Sequence, residues 1–228
     1  RYTIPGSKSG VTSTVNITCT TARSNAKKNG DKWHLYDFAT YCAIIWLYLI
    51  EFADWNCQIT IGAGVTKSEY SGPVRNGMTD TMIYHTGNST AGSIECAVQY
   101  RWVENLLGNV SQWVDGFNAD GTTAYYCTDP SKYADDTTTG YTKIGTLPAS
   151  GWIKDLTVTD NGLLIPKTIG GSETTYIPDF VWSSYGWSVL CVGGHWGGGS
   201  YAGLLYFNAS NASSRSGSDI SARLLCEA

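Results

Sequence analysis

GWSVLCVGGHWGGGSYAGLLYFNASNASSRSGSDISARLLC, residues 186–226, is the stretch on which the fold turns. By composition, residues 193–219 read as a linker, since Gly, Ser and Asn dominate them. A linker carries few aromatic side chains, yet this one holds Trp196, Tyr201, Tyr206 and Phe207. Apolar runs of strand length bound it on both sides, at residues 187–192 and 220–226. A segment held between two strands is read as folded loops pinned onto a core, and long ordered loops on a rigid scaffold are where binding residues concentrate.

Working outward, Asp37 is placed to cap a helix over residues 38–52, because its carboxylate can accept an orphan backbone N–H. Apolar residues surround that helix axis, which predicts a buried core helix. Its most apolar run, residues 43–50, falls short of the ~20 residues a bilayer span needs. Strands are expected at residues 11–20, 81–84, 94–102, 151–159, 163–166 and 187–192, with loops at 24–32 and 129–140 and a polar stretch with turn signals over 67–92. Trp113 is expected to pack inward. The chain opens on Arg1 in what reads as mid-domain sequence, as a piece of a longer chain would, and without a signal peptide. No domain boundary is visible, so residues 1–228 are read as one domain.

The 228 residues are 42% hydrophobic, with 9 Trp and 15 Tyr, enough to bury a sizeable core. Charged residues are 15% and the formal net charge is −4, with no basic patch, which argues against a nucleic-acid partner. Seven Cys occur without a C-x-x-C pair, so zinc spacing is absent. They are read as mostly buried thiols, with one or two disulfides left open. His34, His85 and His195 are scattered, and neither G-x-S-x-G nor a paired-carboxylate signal is present. The reading is therefore not an enzyme, with no catalytic residues, no cofactor and no metal site. The loop acids Asp129, Asp135 and Asp136 offer the clustered oxygens Ca²⁺ prefers. However, the sugar motifs E-P-N, Q-P-D and W-N-D of calcium-dependent lectins are absent.

Residues 186–203 and 208–226 together resemble the variable proteins of diversity-generating retroelements, a group that includes phage tropism determinants. Two upstream pieces agree. YRWVENLLGNVSQWVDG, residues 100–116, is similar to the family's Y-R-G-x-E-N-L-W-G-N-V-W-E-W-V-D-G segment, and residues 49–64 are similar to its helix-to-turn segment. Trp102 stands where the family usually has Gly, Leu107 where it has Trp, and Ser111-Gln112 where it has Trp-Glu. These proteins share a C-type-lectin-like fold with the formylglycine-generating enzymes. The resemblance thus implies an α+β fold: a single C-type-lectin-like domain with a core helix, short antiparallel strands and long irregular loops. Residues 183–226 would form its C-terminal variable region. The chain lacks the close Cys pair of the oxidases and the helical His cluster of the iron-dependent sulfoxide synthases that share this fold.

In this family a reverse transcriptase miscopies adenines of a template repeat, so AAC codons become NNC. Laid on the family template, the diversified positions are His195, Gly197, Gly198, Tyr201, Ser210, Arg215, Gly217 and Asp219, with Tyr185 a further candidate. NNC codons cannot encode Met, Trp, Lys, Gln or Glu, and none of these stands at those positions. In Arg215-Ser-Gly-Ser-Asp219 every second residue departs from the template while Ser is kept. The constant frame is expected to be Trp187, Val189, Leu190, Val192, Trp196, Leu204, Ile220, Leu224 and Leu225, with the variable side chains on the solvent side.

The function so implied is a ligand- or receptor-binding protein with a hypervariable C-terminal surface, serving phage tail attachment or surface adhesion. The alternative is a fixed-specificity carbohydrate-binding or structural module. The expected partner is a protein or glycan receptor on a cell surface, with neither nucleic acid nor membrane insertion. Assembly would be as a homotrimer or on a larger tail or surface protein. The place would be a virion tail or the extracellular bacterial surface.

Overall fold

Asp37 begins the longest helix as its chemistry dictates: its side chain accepts the Thr40 N–H, and the helix runs Phe38–Phe52. The structure is a computed structural model and describes residues 8–67, 69, 71–89 and 96–227. In chain order the elements are α1 (Cys19–Lys27), β1 (Trp33–Leu35), α2 (Phe38–Phe52), α3 (Cys57–Thr60), β2 (Gly87–Asn88), β3 (Val98–Tyr100) and β4 (Val103–Glu104). They continue with β5 (Ser111–Asp120), β6 (Thr123–Tyr126), β7 (Thr142–Thr146), β8 (Gly151–Val158), β9 (Leu164–Ile169) and β10 (Phe180–Ser183). The C-terminal part supplies β11 (Trp187–Val192), β12 (Phe207–Asn211), β13 (Ile220–Ala222) and β14 (Leu224–Cys226).

These elements overturn the expected α+β class. A nine-stranded mixed sheet dominates, in the order β7-β6-β5-β11-β12-β10-β8-β9 with β13 alongside β5. The fold is β-rich and barrel-like, and helix is the minor component. Nor is the sheet simply antiparallel, since β10 pairs with β12 and β13 with β5 in parallel. The helix α2 is not the centre of a core. Phe38, Tyr41, Cys42, Ile45 and Tyr48 form one buried stripe, while Leu47 and Ile50 are 42% and 78% exposed. Apolar residues all round an axis permit full burial but do not compel it. Covering one sheet face uses only the side chains that the 3.6-residue period brings to one side.

β5 organises the molecule. Nine of its ten residues are buried, and it pairs with β6, β11 and β13. Phe117 meets Phe38 and Phe207 at ring-centroid distances of 5.1 and 5.4 Å, joining α2 to the sheet. On its other side Trp113 is fully buried beside Val189, Cys191 and Ile220, and its indole N–H donates to the Ile17 carbonyl at 2.9 Å. Burial of large apolar side chains of this kind contributes about 1.5–3 kcal/mol each.

The expected strand over residues 11–20 and loop over 24–32 are also corrected. Thr18 accepts the Thr21 N–H and starts α1, which buries Cys19, Ala22, Arg23 and Ala26. Arg23 disguised that apolar stripe in the sequence. It is buried because it pairs with Asp115 and Asp135, each at 2.5 Å. Residues 81–84 form turns instead of a strand, and of the 94–102 strand only Val98–Tyr100 forms, residues 94 and 95 lying outside the described residues. The strands expected at 151–159, 163–166 and 187–192 correspond to β8, β9 and β11.

Candidate functional site

The C-terminal loops are held by their backbones. After β11 the chain turns through Gly193 and Gly194, with φ of 86° and 73°. A Cβ at Gly193 would come within 2.6 Å of the Leu106 carbonyl oxygen, so only glycine fits there. The loop is then tied down by main-chain bonds from Gly108 N–H to the Gly193 carbonyl, Trp196 N–H to Asn109 and Gly199 N–H to Thr66, at 2.9, 2.9 and 2.6 Å. The second loop is held likewise: Asn16 N–H donates to the Gly217 carbonyl and Ser111 N–H to Asp219, both at 2.9 Å. Trp196 bridges the two loops, its indole N–H donating to the Ser218 carbonyl at 3.4 Å. Main-chain bonds do not depend on which side chain a residue carries, so both loops keep their course when side chains change.

Between these loops lies a cavity of about 380 Å³. It brings together seven of the nine template positions: His195, Gly197, Gly198, Tyr201, Ser210, Arg215 and Asp219. Gly217 stands beside it, close enough that a Cβ there would press on the end of the Asp219 side chain. Tyr185 is not part of the group. It is 98% exposed, next to the turn between β10 and β11.

The expectation that these side chains sit on the solvent side holds for Tyr185, Gly197 and Tyr201, which are exposed, and needs correction for the rest. Along 214–219, Ser214, Ser216 and Ser218 are exposed while Arg215, Gly217 and Asp219 are half-buried. The period of two is present, but the kept serines face water and the template positions face the cavity. Backbone anchoring of the loop at both ends turns that face inward. Of the expected frame, Val189, Leu190, Val192, Leu204 and Ile220 are buried, while Trp187, Trp196, Leu224 and Leu225 are partly exposed.

Arg215 Nη2 contacts Asp219 Oδ2 at 2.8 Å, so the two charges offset each other on one wall. Burial holds the His195 imidazole below the ordinary histidine range, with Arg215 adding to that effect and Asp219 opposing it. Its Nδ1 accepts the Gly197 N–H at 3.1 Å. Cys191, at the back, is no nucleophile: burial pushes its thiol up to about 12, and it accepts from Asn211 Nδ2 at 3.2 Å.

The sequence reading missed an aromatic wall supplied from outside the C-terminal segment. The Tyr201 ring lies 4.9 Å from Trp152, 4.8 Å from Phe180 and 6.3 Å from Trp182. Phe180 and Trp182 share a strand face because side chains alternate along β10, and Phe180 is the cross-strand partner of Trp152 on β8. The alternation Phe180-Val-Trp182 was the available signal.

The loop acids Asp129, Asp135 and Asp136 each have protein partners. Asp129 accepts from Ser131 and pairs with Lys132, and Asp136 accepts from Ser213 at 2.9 Å. Cys19, Asp115 and Asp135 do cluster within 4.8 Å, but the Arg23 guanidinium already bonds both carboxylates and supplies the cation. Burial raises the Asp115 carboxyl, and Arg23 opposes that. Cys19, Cys42, Cys57, Cys127 and Cys191 are buried thiols. The three histidines occupy three settings: His34 against Tyr133, His85 near Trp102, and His195 in the cavity. No helix among the described residues is long and apolar enough to cross a membrane. No protein-family model matches the chain, and no curated protein matches it in sequence.

Proposed function

We propose that the chain is a ligand-binding protein whose specificity is set by exchangeable side chains lining the C-terminal cavity, in the manner of the variable proteins of diversity-generating retroelements. One observation carries the reading. Positions singled out by laying the chain on the family template, with no reference to geometry, fall largely on one concave surface. The reading rests on that segment and not on the α+β class first expected from the resemblance.

Gly194 and Gly197 support it. A Cβ at Gly197 would meet only the His195 ring, at 3.4 Å, whereas one at Gly194 would collide with Ala202, its Cα 2.8 Å away. Of the three glycines expected to vary, Gly197 has room for a side chain, whereas Gly198 is tight against the His195 carbonyl at 3.1 Å and Gly217 would need the Asp219 side chain to move. The side chains present also suit recognition of a receptor. Tyr201 offers a stiff amphipathic ring, His195 and Arg215 offer donors, and Asp219 offers an acceptor, the chemistry that serves antibody paratopes. A phage tail or cell surface displaying many copies would raise avidity by ~10²–10⁴.

The DNA around the coding region tests this. The proposal expects a near-identical repeat of the segment encoding residues 186–226, differing from it at adenines, with a reverse transcriptase gene nearby. Absence of both would leave a binding surface of fixed specificity and overturn the diversified reading.

A further inference from the structure

A larger cavity lies elsewhere. It is a cleft of about 810 Å³ between the β3–β4 hairpin and strands β13–β14, within the ~300–1,000 Å³ range of small-ligand sites. It lies across the β5–β13 ladder from the first cavity. In that ladder Ile220 pairs with Ser111, and both line the first cavity, while Ser221 pairs with Gln112, and both line the cleft. Neighbouring residues on a strand point to opposite faces, so one ladder serves two separate sites.

Three features of the cleft point to a ligand. First, Trp102 at its rim is 64% exposed and has φ of +67° in the turn between β3 and β4. A turn position with positive φ favours glycine, and a bulky residue there is strained. An indole that is strained and exposed contributes little to folding. Second, Trp33 sets another indole on the lining. Third, Asn105 is 6% exposed, and its Oδ1 is buried without a hydrogen bond from any described residue. A buried acceptor left unpaired is costly and calls for a donor.

Two of the four charged side chains lining the cleft, Glu104 and Arg223, are already occupied. Glu104 accepts the Gly77 and Thr79 N–H groups at 2.9 Å and the Thr79 hydroxyl at 2.6 Å. Arg223 donates to Gln112 Oε1 at 2.9 Å and to the Glu104 carbonyl at 2.6 Å. What remains for a ligand is two flat apolar rings, the Asn105 Oδ1 acceptor, and the side chains of Lys8 and Asp80. That combination fits a molecule with hydroxyls around its edge and C–H groups on its faces.

We propose that this cleft is a second site, of fixed specificity, that binds the ring of a saccharide, with Trp102 as its stacking platform and Asn105 Oδ1 accepting a sugar hydroxyl. The proposal stands apart from the diversified reading, because no template position lines this cleft.

The test is titration of the whole protein with methyl glycosides of glucose, galactose, mannose and N-acetylglucosamine, and with the matching disaccharides. Binding is read by tryptophan fluorescence and saturation-transfer NMR. Two variants suit the backbone they replace, Trp102→Gly at φ +67° and Asn105→Gly at φ +52°, so both are expected to fold. At least one sugar is expected to bind, and Trp102→Gly to weaken it by about tenfold, with Asn105→Gly also weakening it. Replacing His195, Tyr201, Arg215 and Asp219 together with Ala should leave sugar affinity unchanged. Failure of every glycoside to bind, or wild-type affinity in both glycine variants, overturns the proposal. Loss of sugar binding only in the fourfold variant overturns it as well and assigns the sugar to the first cavity.

Discussion

Two cavities share the β5–β13 ladder, and they are built on opposite principles. The C-terminal cavity is lined by side chains whose removal leaves the loop backbones pinned, although Arg215 and Asp219 pair with each other. The amide-rich cleft is lined by side chains bonded to one another, Glu104 to Thr79 and Gln112 to Arg223. Exchanging a residue in the first changes what it binds. Exchanging one in the second strands a partner in a poorly hydrated place. The difference teaches that tolerance to variation follows from who holds the loop, not from how exposed the residue is. Arg215 and Asp219 are only partly exposed.

The strongest way to break the comparison is to remove what both sites stand on. Trp113→Ala should lower the unfolding free energy by ~3–5 kcal/mol in a urea titration and abolish function at both cavities, because Trp113 is fully buried behind the ladder. A loss under 1 kcal/mol would show that the ladder is held by something else.

Asp179 should make the stability of the fold depend on pH. It is fully buried at the start of β10, accepts the Leu205 N–H at 2.7 Å, and so anchors the chain behind Tyr206. Burial pushes its carboxyl up to about 7, with the Leu205 and Tyr206 N–H groups opposing the shift. Since a free Asp titrates near 3.9, the folded state holds this proton more tightly than the unfolded state does. Its stabilising contribution is therefore complete below about pH 4 and is lost as pH rises toward 7. Stability should fall through that window by on the order of a few kcal/mol, and Asp179→Asn should flatten the curve. An unaltered curve in the variant would assign the slope to other groups.

Within the C-terminal cavity, Tyr201→Ala should cost about 1 kcal/mol, because its ring packs on Trp152 and Phe180. His195→Ala should change stability by only about 0.5 kcal/mol or less. Thermal unfolding of the pair checks the ranking, and the reverse order would mean that His195, not the aromatic wall, supports the loop.

Much of the site was legible in the sequence, and less of the fold. The capped helix from Asp37, the strand at 187–192 and the inward Trp113 all follow from local chemistry. The positions gathered in the cavity came from a pattern of kept serines and departures from a template. The β-rich architecture was not legible, because it rests on pairings between distant segments: β13 beside β5, and β14 beside β1. α1 was hidden because Arg23 is buried through Asp115 and Asp135, two residues far along the chain. The aromatic wall was missed for the same reason, since Trp152 and Phe180 join Tyr201 only once β8, β10 and the loop are assembled.

The variant with His195, Tyr201, Arg215 and Asp219 all changed to Ala puts the central claim to the most direct trial, with urea unfolding and receptor binding measured on the same sample. A single cooperative transition within about 2 kcal/mol of the parent, together with lost binding, is the expected result. Collapse of the cooperative transition, or unchanged binding by a folded variant, would contradict the idea that loops held by their backbones present exchangeable side chains to a ligand.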